Sequence, residues 1–276
     1  METCFNNLKG KKLIIGLIHL LPMPGTPNYK DGNMEKMLKK AVQDARTLKA
    51  NGADGCLIQP GNSIYPCTDD TDYIRVACLA AAISLVRAEV GPDFLIGGML
   101  MVNCTTPSLA ACKAAGADFT RVAALARNTE SPWGTVIAQP LKVADYRNKI
   151  EANNIAMIAE VSSYHHKHSE FDPNAIRQQV RSSLSLGANA VEIMDPDFEH
   201  NERLVKLIKE MNPDIPVVLG GGTNVENCKD RLRYADVALV GTCFEGGKWG
   251  GPVIGEIVAE YVRKVRELEA ELAAEK

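Results

Sequence analysis

The sequence predicts an α/β chain folded as a single (β/α)8, or TIM, barrel, and three observations carry that expectation. Four segments repeat one design, a helix-like stretch ending in Gly-Ala or Tyr-Ala, then Asp or Asn, then a short apolar strand: "KANGADGCLIQP" at Gly52, "KAAGADFTRVAA" at Gly116, "LSLGANAVEIMD" at Gly187 and "RYADVALVGT" at Ala235. Four further apolar runs alternate with these. No linker-like Pro/Gly/Ser tract or low-complexity block divides the 276 residues, so one domain, 1–276, is expected.

Each element has a local reason. Glycine just past a helix end supplies the left-handed cap, and the apolar tetrapeptide after it suits a strand covered on both faces. The other strands are "LIIGLIH" from Leu13, "FLIGGMLM" from Phe94, "IAMIAEV" from Ile155 and "IPVVLGGG" from Ile215. Helical periodicity and end signals place helices near 34–51, 70–90, 107–116, 133–152, 173–186, 200–211, 225–233 and 253–273. The last is expected to run past the barrel with Val262, Val265, Leu268 and Leu272 on one side, and that stripe also admits a homo-oligomer contact. Alternation alone admits a doubly wound open sheet as well.

Composition narrows the function. The formal charge of −3 supplies no field toward nucleic acid. The amino terminus lacks the apolar core of a secretory signal and no run reaches the length of a membrane span, so a cytoplasmic protein is expected. Eight cysteines fall without a C-x-x-C pair and read as small packed thiols.

In such barrels the chemistry sits at the carboxyl ends of the strands. Read in order, these ends offer His19, Gln59 with Asn62, Asn103, Arg121, Glu160 followed by "SSYHHKH", Glu192 with Asp195, the run Gly220 to Thr223, and Gly241-Thr242. Gly221, Gly222, Thr223, Gly241 and Thr242 suit a phosphate, because glycines let peptide N–H groups approach an anion. The loop after His19, with Pro22, Pro24, Gly25 and Pro27, suits a partial lid. Arg121 among apolar neighbours must find an anion, either Glu192 or Glu160 or a substrate oxygen. Of the histidine cluster, either His165 or His168 is the candidate for the site, with Glu160 at the strand end beside it.

The motifs "IIGLIHLLPMPGTP", "GADG", "GADFTRV" and "VVLGGGTN…ADVALVGTCFEGGKWGGPV" make the chain resemble the BtpA (BtpA/SgcQ) family from residue 12 to about 262. The resemblance implies a barrel related to phosphate-binding barrels, a founding member linked to photosystem I biogenesis, and others similar to sugar or nucleoside enzymes. Against the family pattern Gln59-Pro60 stands for a Glu-Asn pair, Met101-Val102-Asn103-Cys104 for an Arg-Asn-Asp-like ending, Ala123 for an asparagine and Glu160 for an aspartate. Ungapped, His165 takes the family histidine's place; with a three-residue insertion, Lys167-His168 restores the Lys-His pair. His19, Arg121 and both glycine-rich loops persist, so the chain reads as a divergent member.

The leading expectation is therefore an enzyme of isomerase, epimerase or aldolase type acting on a small phosphorylated sugar or nucleotide-derived metabolite. His19, Glu160, His165 or His168, and Glu192 would move protons, and Gln59, Asn103, Arg121 and Asp195 would hold the substrate. The alternatives are a hydrolase or lyase with a divalent metal on His19, Glu160, His165 or His168, and Asp195, and a non-catalytic assembly factor. No organic cofactor is expected.

Overall fold

The computed structural model describes residues 3–30, 32–61, 67–132, 134–163, 172–195 and 197–275. The barrel strands are β1 (Leu13–Leu20), β2 (Gly55–Pro60), β3 (Leu95–Gly98), β4 (Phe119–Val122), β7 (Ala156–Ser163), β8 (Ala190–Met194), β9 (Val217–Leu219) and β10 (Val237–Val240). They close in that order, all parallel, with β10 paired to β1. Around them run α1 (Asn33–Ala50), α2 (Tyr73–Val90), α3 (Thr105–Ala115), α4 (Pro140–Lys149), α5 (Pro173–Ser185), α6 (Phe198–Met211), α7 (Cys228–Leu232) and α8 (Gly255–Ala274). The closed barrel replaces the open-sheet alternative.

The strand period of two divides the apolar residues between two cores. Leu13, Ile15, Leu57, Phe119, Ile158 and Val218 fill the barrel, and Phe5 closes its lower end edge-on to Phe119 at 5.5 Å between ring centres. Ile14, Ile18, Cys56, Ile58, Val191 and Ile193 face outward beneath the helices. Residues that continue the inward series upward are polar: His19 after Leu17, Gln59 after Leu57, Arg121 after Phe119, Glu160 after Ile158, Glu192 after Ala190.

The sequence repeat has a structural meaning at the lower face. In each joint the Asp or Asn side chain accepts a backbone amide at the start of the preceding strand: Asp54 from Ile14, Asp118 from Ile96, Asn189 from Met157, Asp236 from Val217, all at 2.7 to 3.0 Å. Each also meets a cation from an even-numbered helix: Arg266 to Asp54, Arg87 to Asp118, Arg147 to Asn189 and Lys209 to Asp236. Four quarters of the ring thus repeat one fastening, which caps amides that the sheet ladder leaves over.

One element differs from its expected form. The helix expected over 133–152 starts only at Pro140, because Thr129–Ser131 and Gly134–Val136 pair as an antiparallel hairpin, β5 and β6. Ser131-Pro132 is a turn signal, the β-branched Thr135 and Val136 suit a strand, and Pro140 sits in the first helical turn where its missing N–H costs nothing. Val136 is fully buried against Val102, Ala123 and Ala124, which anchors the hairpin over the third and fourth strand ends. In α8, Val258, Tyr261, Val265 and Leu268 are buried, Val262 and Leu272 lie partly buried against the core, and ion pairs to α7 and Arg233 reach as far as Glu275.

Candidate active site

A cavity of about 560 Å³ opens at the carboxyl ends of the strands, among His19, Gln59, Arg121, Gly222, Thr242 and Trp249. His19 and Gln59 are register partners on β1 and β2, so both side chains enter the cavity at one level. Glu245, fully buried in the loop after β10, takes His19 Nδ1 at 2.8 Å, and its other oxygen accepts the Gly250 amide at 3.1 Å. With the Nδ1 proton donated to that carboxylate, Nε2 is the acceptor, and the Gln59 amide nitrogen stands 3.1 Å from it. The pairing turns Gln59 Oε1 the other way, where it is buried with no partner among the described residues. Trp249 lies over the imidazole, 5.1 Å between ring centres, and is 44% exposed.

Arg121 enters from β4. Its Nε donates to Glu192 Oε2 at 2.6 Å, and its Nη2 lies 3.0 Å from Glu160 Oε1. Glu160 and Glu192 are themselves register partners on β7 and β8, which forces two carboxylates onto one level beside one guanidinium. Burial pushes the Glu192 carboxyl up to about 7; Arg121 opposes the shift and Glu160 adds to it. Gly220 is required beside this cluster, because a Cβ there would stand 1.8 Å from Glu192 Oε1.

The loops after β9 and β10 form the opposite wall. Gly221, Gly222, Thr223, Thr242 and Cys243 all line the cavity, and among the described residues their backbone N–H groups make no hydrogen bond. Gly241 presses on β1: a methyl there would come 2.9 Å from Leu17 Cδ1 and 3.2 Å from His19 Cε1. The two loops and His19 are thus parts of one wall. The Thr223 hydroxyl is buried there beside the hydroxyl of Tyr261.

His19, Gln59, Arg121, Gly221, Gly222, Thr223, Gly241 and Thr242 therefore share one cavity, with Glu160 and Glu192 braced behind Arg121. Asn103 and Asp195 lie outside its lining. The Asn103 amide donates to the carbonyls of Cys67 and Ile137, tying the hairpin to the loop after β2. Asp195 accepts the Asp197 amide and faces His200 at 3.5 Å, at the start of α6. The proline-rich loop after β1 contributes no lining residue and is held by the fully buried Met23. Asn62, His165 and His168 fall outside the described residues. Among those described, no three His, Cys, Asp or Glu side chains group as a metal site. Sequence reasoning passed over Glu245 and Trp249, although an acid and an indole among the glycines of "GTCFEGGKWGG" were the available signal.

The closed eight-stranded parallel barrel is a TIM-barrel fold, shared with solved structures of low sequence identity. This chain belongs to the BtpA family, whose model it matches over residues 10–271. It is 29% identical over 266 residues to an uncharacterized protein of Archaeoglobus fulgidus, covering 93% of this chain and 99% of the relative. It is 24% identical to the photosystem I biogenesis protein BtpA of a Synechocystis species, covering 86% of this chain and 81% of that one. Among solved structures, thiamine phosphate pyrophosphorylase from Pyrococcus furiosus shares the fold at 17% identity and a TM-score of 0.56, covering 95% of this chain and 99% of the other. No described helix is long and apolar enough to cross a membrane.

Proposed function

We propose that this protein is an enzyme of a small phosphorylated metabolite, carrying out proton-transfer chemistry next to a carbonyl group, as isomerases, epimerases and aldolases do. The observation that carries the reading is the set of N–H groups of Gly221, Gly222, Thr223, Thr242 and Cys243, from two loops on one cavity and without acceptors among the described residues. Gly222 and Thr242 are open to the cavity, Gly221 and Cys243 are half-buried and Thr223 is buried, so these donors face the space a ligand would fill, and a phosphate with several acceptor oxygens satisfies them together. His19 stands against the same wall. With Glu245 holding Nδ1–H, its Nε2 is the proton acceptor, and a substrate C–H or O–H competes with the Gln59 amide for it. A negative oxygen developing on the substrate meets the Arg121 guanidinium. Glu192, titrating near neutrality, and Glu160 take up or release the accompanying proton behind it.

The test is the melting temperature of the purified protein in rising inorganic phosphate, with chloride at matched ionic strength as the reference. Phosphate is expected to raise it, because a ligand that binds only the folded state at about a hundred times its Kd contributes about 2.7 kcal/mol. A flat response to inorganic phosphate and to every phosphorylated metabolite tried would sink the proposal.

A further inference from the structure

Phosphate alone leaves two features of the cavity without a role. Trp249 is 44% exposed although it lines the cavity and its ring meets His19 at 5.1 Å, tilted by 50°, so a large apolar face is left toward water at the mouth. Gln59 Oε1 is the converse: the residue is 4% exposed, its nitrogen is committed to His19, and its oxygen has no partner among the described residues. An uncovered indole calls for a flat group with C–H bonds on one face, and a buried lone acceptor calls for a donor such as a hydroxyl. The space, about 560 Å³, holds far more than an inorganic anion, and Leu17, Leu239, Met101 and Met194 make much of its remaining wall apolar.

We infer that the ligand is a cyclic sugar phosphate: its ring lies face-on to Trp249, a ring hydroxyl donates to Gln59 Oε1, and its phosphate reaches the loops after β9 and β10. The inference rests on the phosphate reading above and adds the ring. An open-chain phosphate ester with the same hydroxyls reaches the same donors, but it presents no flat face and loses more rotational freedom on binding.

Isothermal titration of the full chain with glucose 6-phosphate, methyl ribofuranoside 5-phosphate, sorbitol 6-phosphate and inorganic phosphate decides it. At least one ring ester is expected to bind about tenfold or more tightly than the open-chain sorbitol 6-phosphate, a difference that stacking on one indole supplies. In W249A the ratio of ring to chain affinity falls toward one, and in W249F it is largely retained, which separates stacking from a general loss of folding. Equal affinities for ring and chain, or a ring preference that survives W249A, would overturn the inference while leaving phosphate binding standing. Failure of inorganic phosphate and all three esters to bind would remove the phosphate reading and the ring with it.

Discussion

The two walls of the barrel mouth handle polarity in opposite ways. On the side of β9 and β10, backbone N–H groups of Gly221, Gly222, Thr223, Thr242 and Cys243 are left without acceptors among the described residues. On the side of β4, β7 and β8, Arg121, Glu160 and Glu192 neutralise one another in a buried cluster, each less than a tenth exposed. The first wall is neutral and presents its donors to the cavity. The second is held by its own ion pairs, although Glu192 Oε1 is buried without a hydrogen bond among the described residues, so its pairing bears on stability. The contrast separates a wall whose backbone donors face open space from one whose side chains face one another.

The sharpest way to break this comparison is Arg121→Leu. It removes the cation that pairs with Glu160 and Glu192 and is expected to lower stability by about 3–5 kcal/mol in urea unfolding, with part of the loss recovered when Glu192→Leu accompanies it. A loss below about 1 kcal/mol would mean that the pairing contributes no more than an exposed ion pair does.

Next comes pH. The Glu192 carboxyl is raised from 4.5 to about 7, so between those values the folded protein keeps a proton that the unfolded chain has released. Stability therefore falls as pH rises through this window, and the penalty, up to roughly 3 kcal/mol, is complete above pH 7. Unfolding midpoints at about pH 5 and about pH 8 should differ in that direction for the native protein and much less for Glu192→Gln. A native protein no less stable at the higher pH would contradict a protonated Glu192.

The smallest effect concerns Asn103, whose side-chain amide ties two loops. Asn103→Ala removes two hydrogen bonds to carbonyls and should cost about 1–2 kcal/mol while the phosphate-induced rise in melting temperature persists. Intact stability with a lost phosphate response would return Asn103 to the ligand.

How much of this was legible follows from where each residue sits. His19, Gln59, Arg121, Glu160 and Glu192 lie within barrel strands, and the period of two that points Leu17, Leu57, Phe119, Ile158 and Ala190 inward carries them the same way. Asn103 belongs to no strand: β3 stops at Gly98, and by residue 103 the chain has turned toward α3. Glu245 and Trp249 lie in a glycine-rich loop whose path has no period. Nothing local to "FEGGKWGG" says that one carboxylate folds back onto an imidazole 226 positions earlier.

Local patterning in the sequence was enough for the eightfold alternation, the inward polar residues and the repeated Gly-Ala-Asp joints. Those features depend on residues a few positions apart. The tertiary structure alone decided that Glu160 and Glu192 share Arg121, that Gly220 must lack a side chain, that Glu245 orients His19, and that the joints fasten four cations from the outer helices. Closing the barrel brings together strands far apart in the chain, and hydrogen bonds and burial depend on that closure, not on any stretch of sequence read alone.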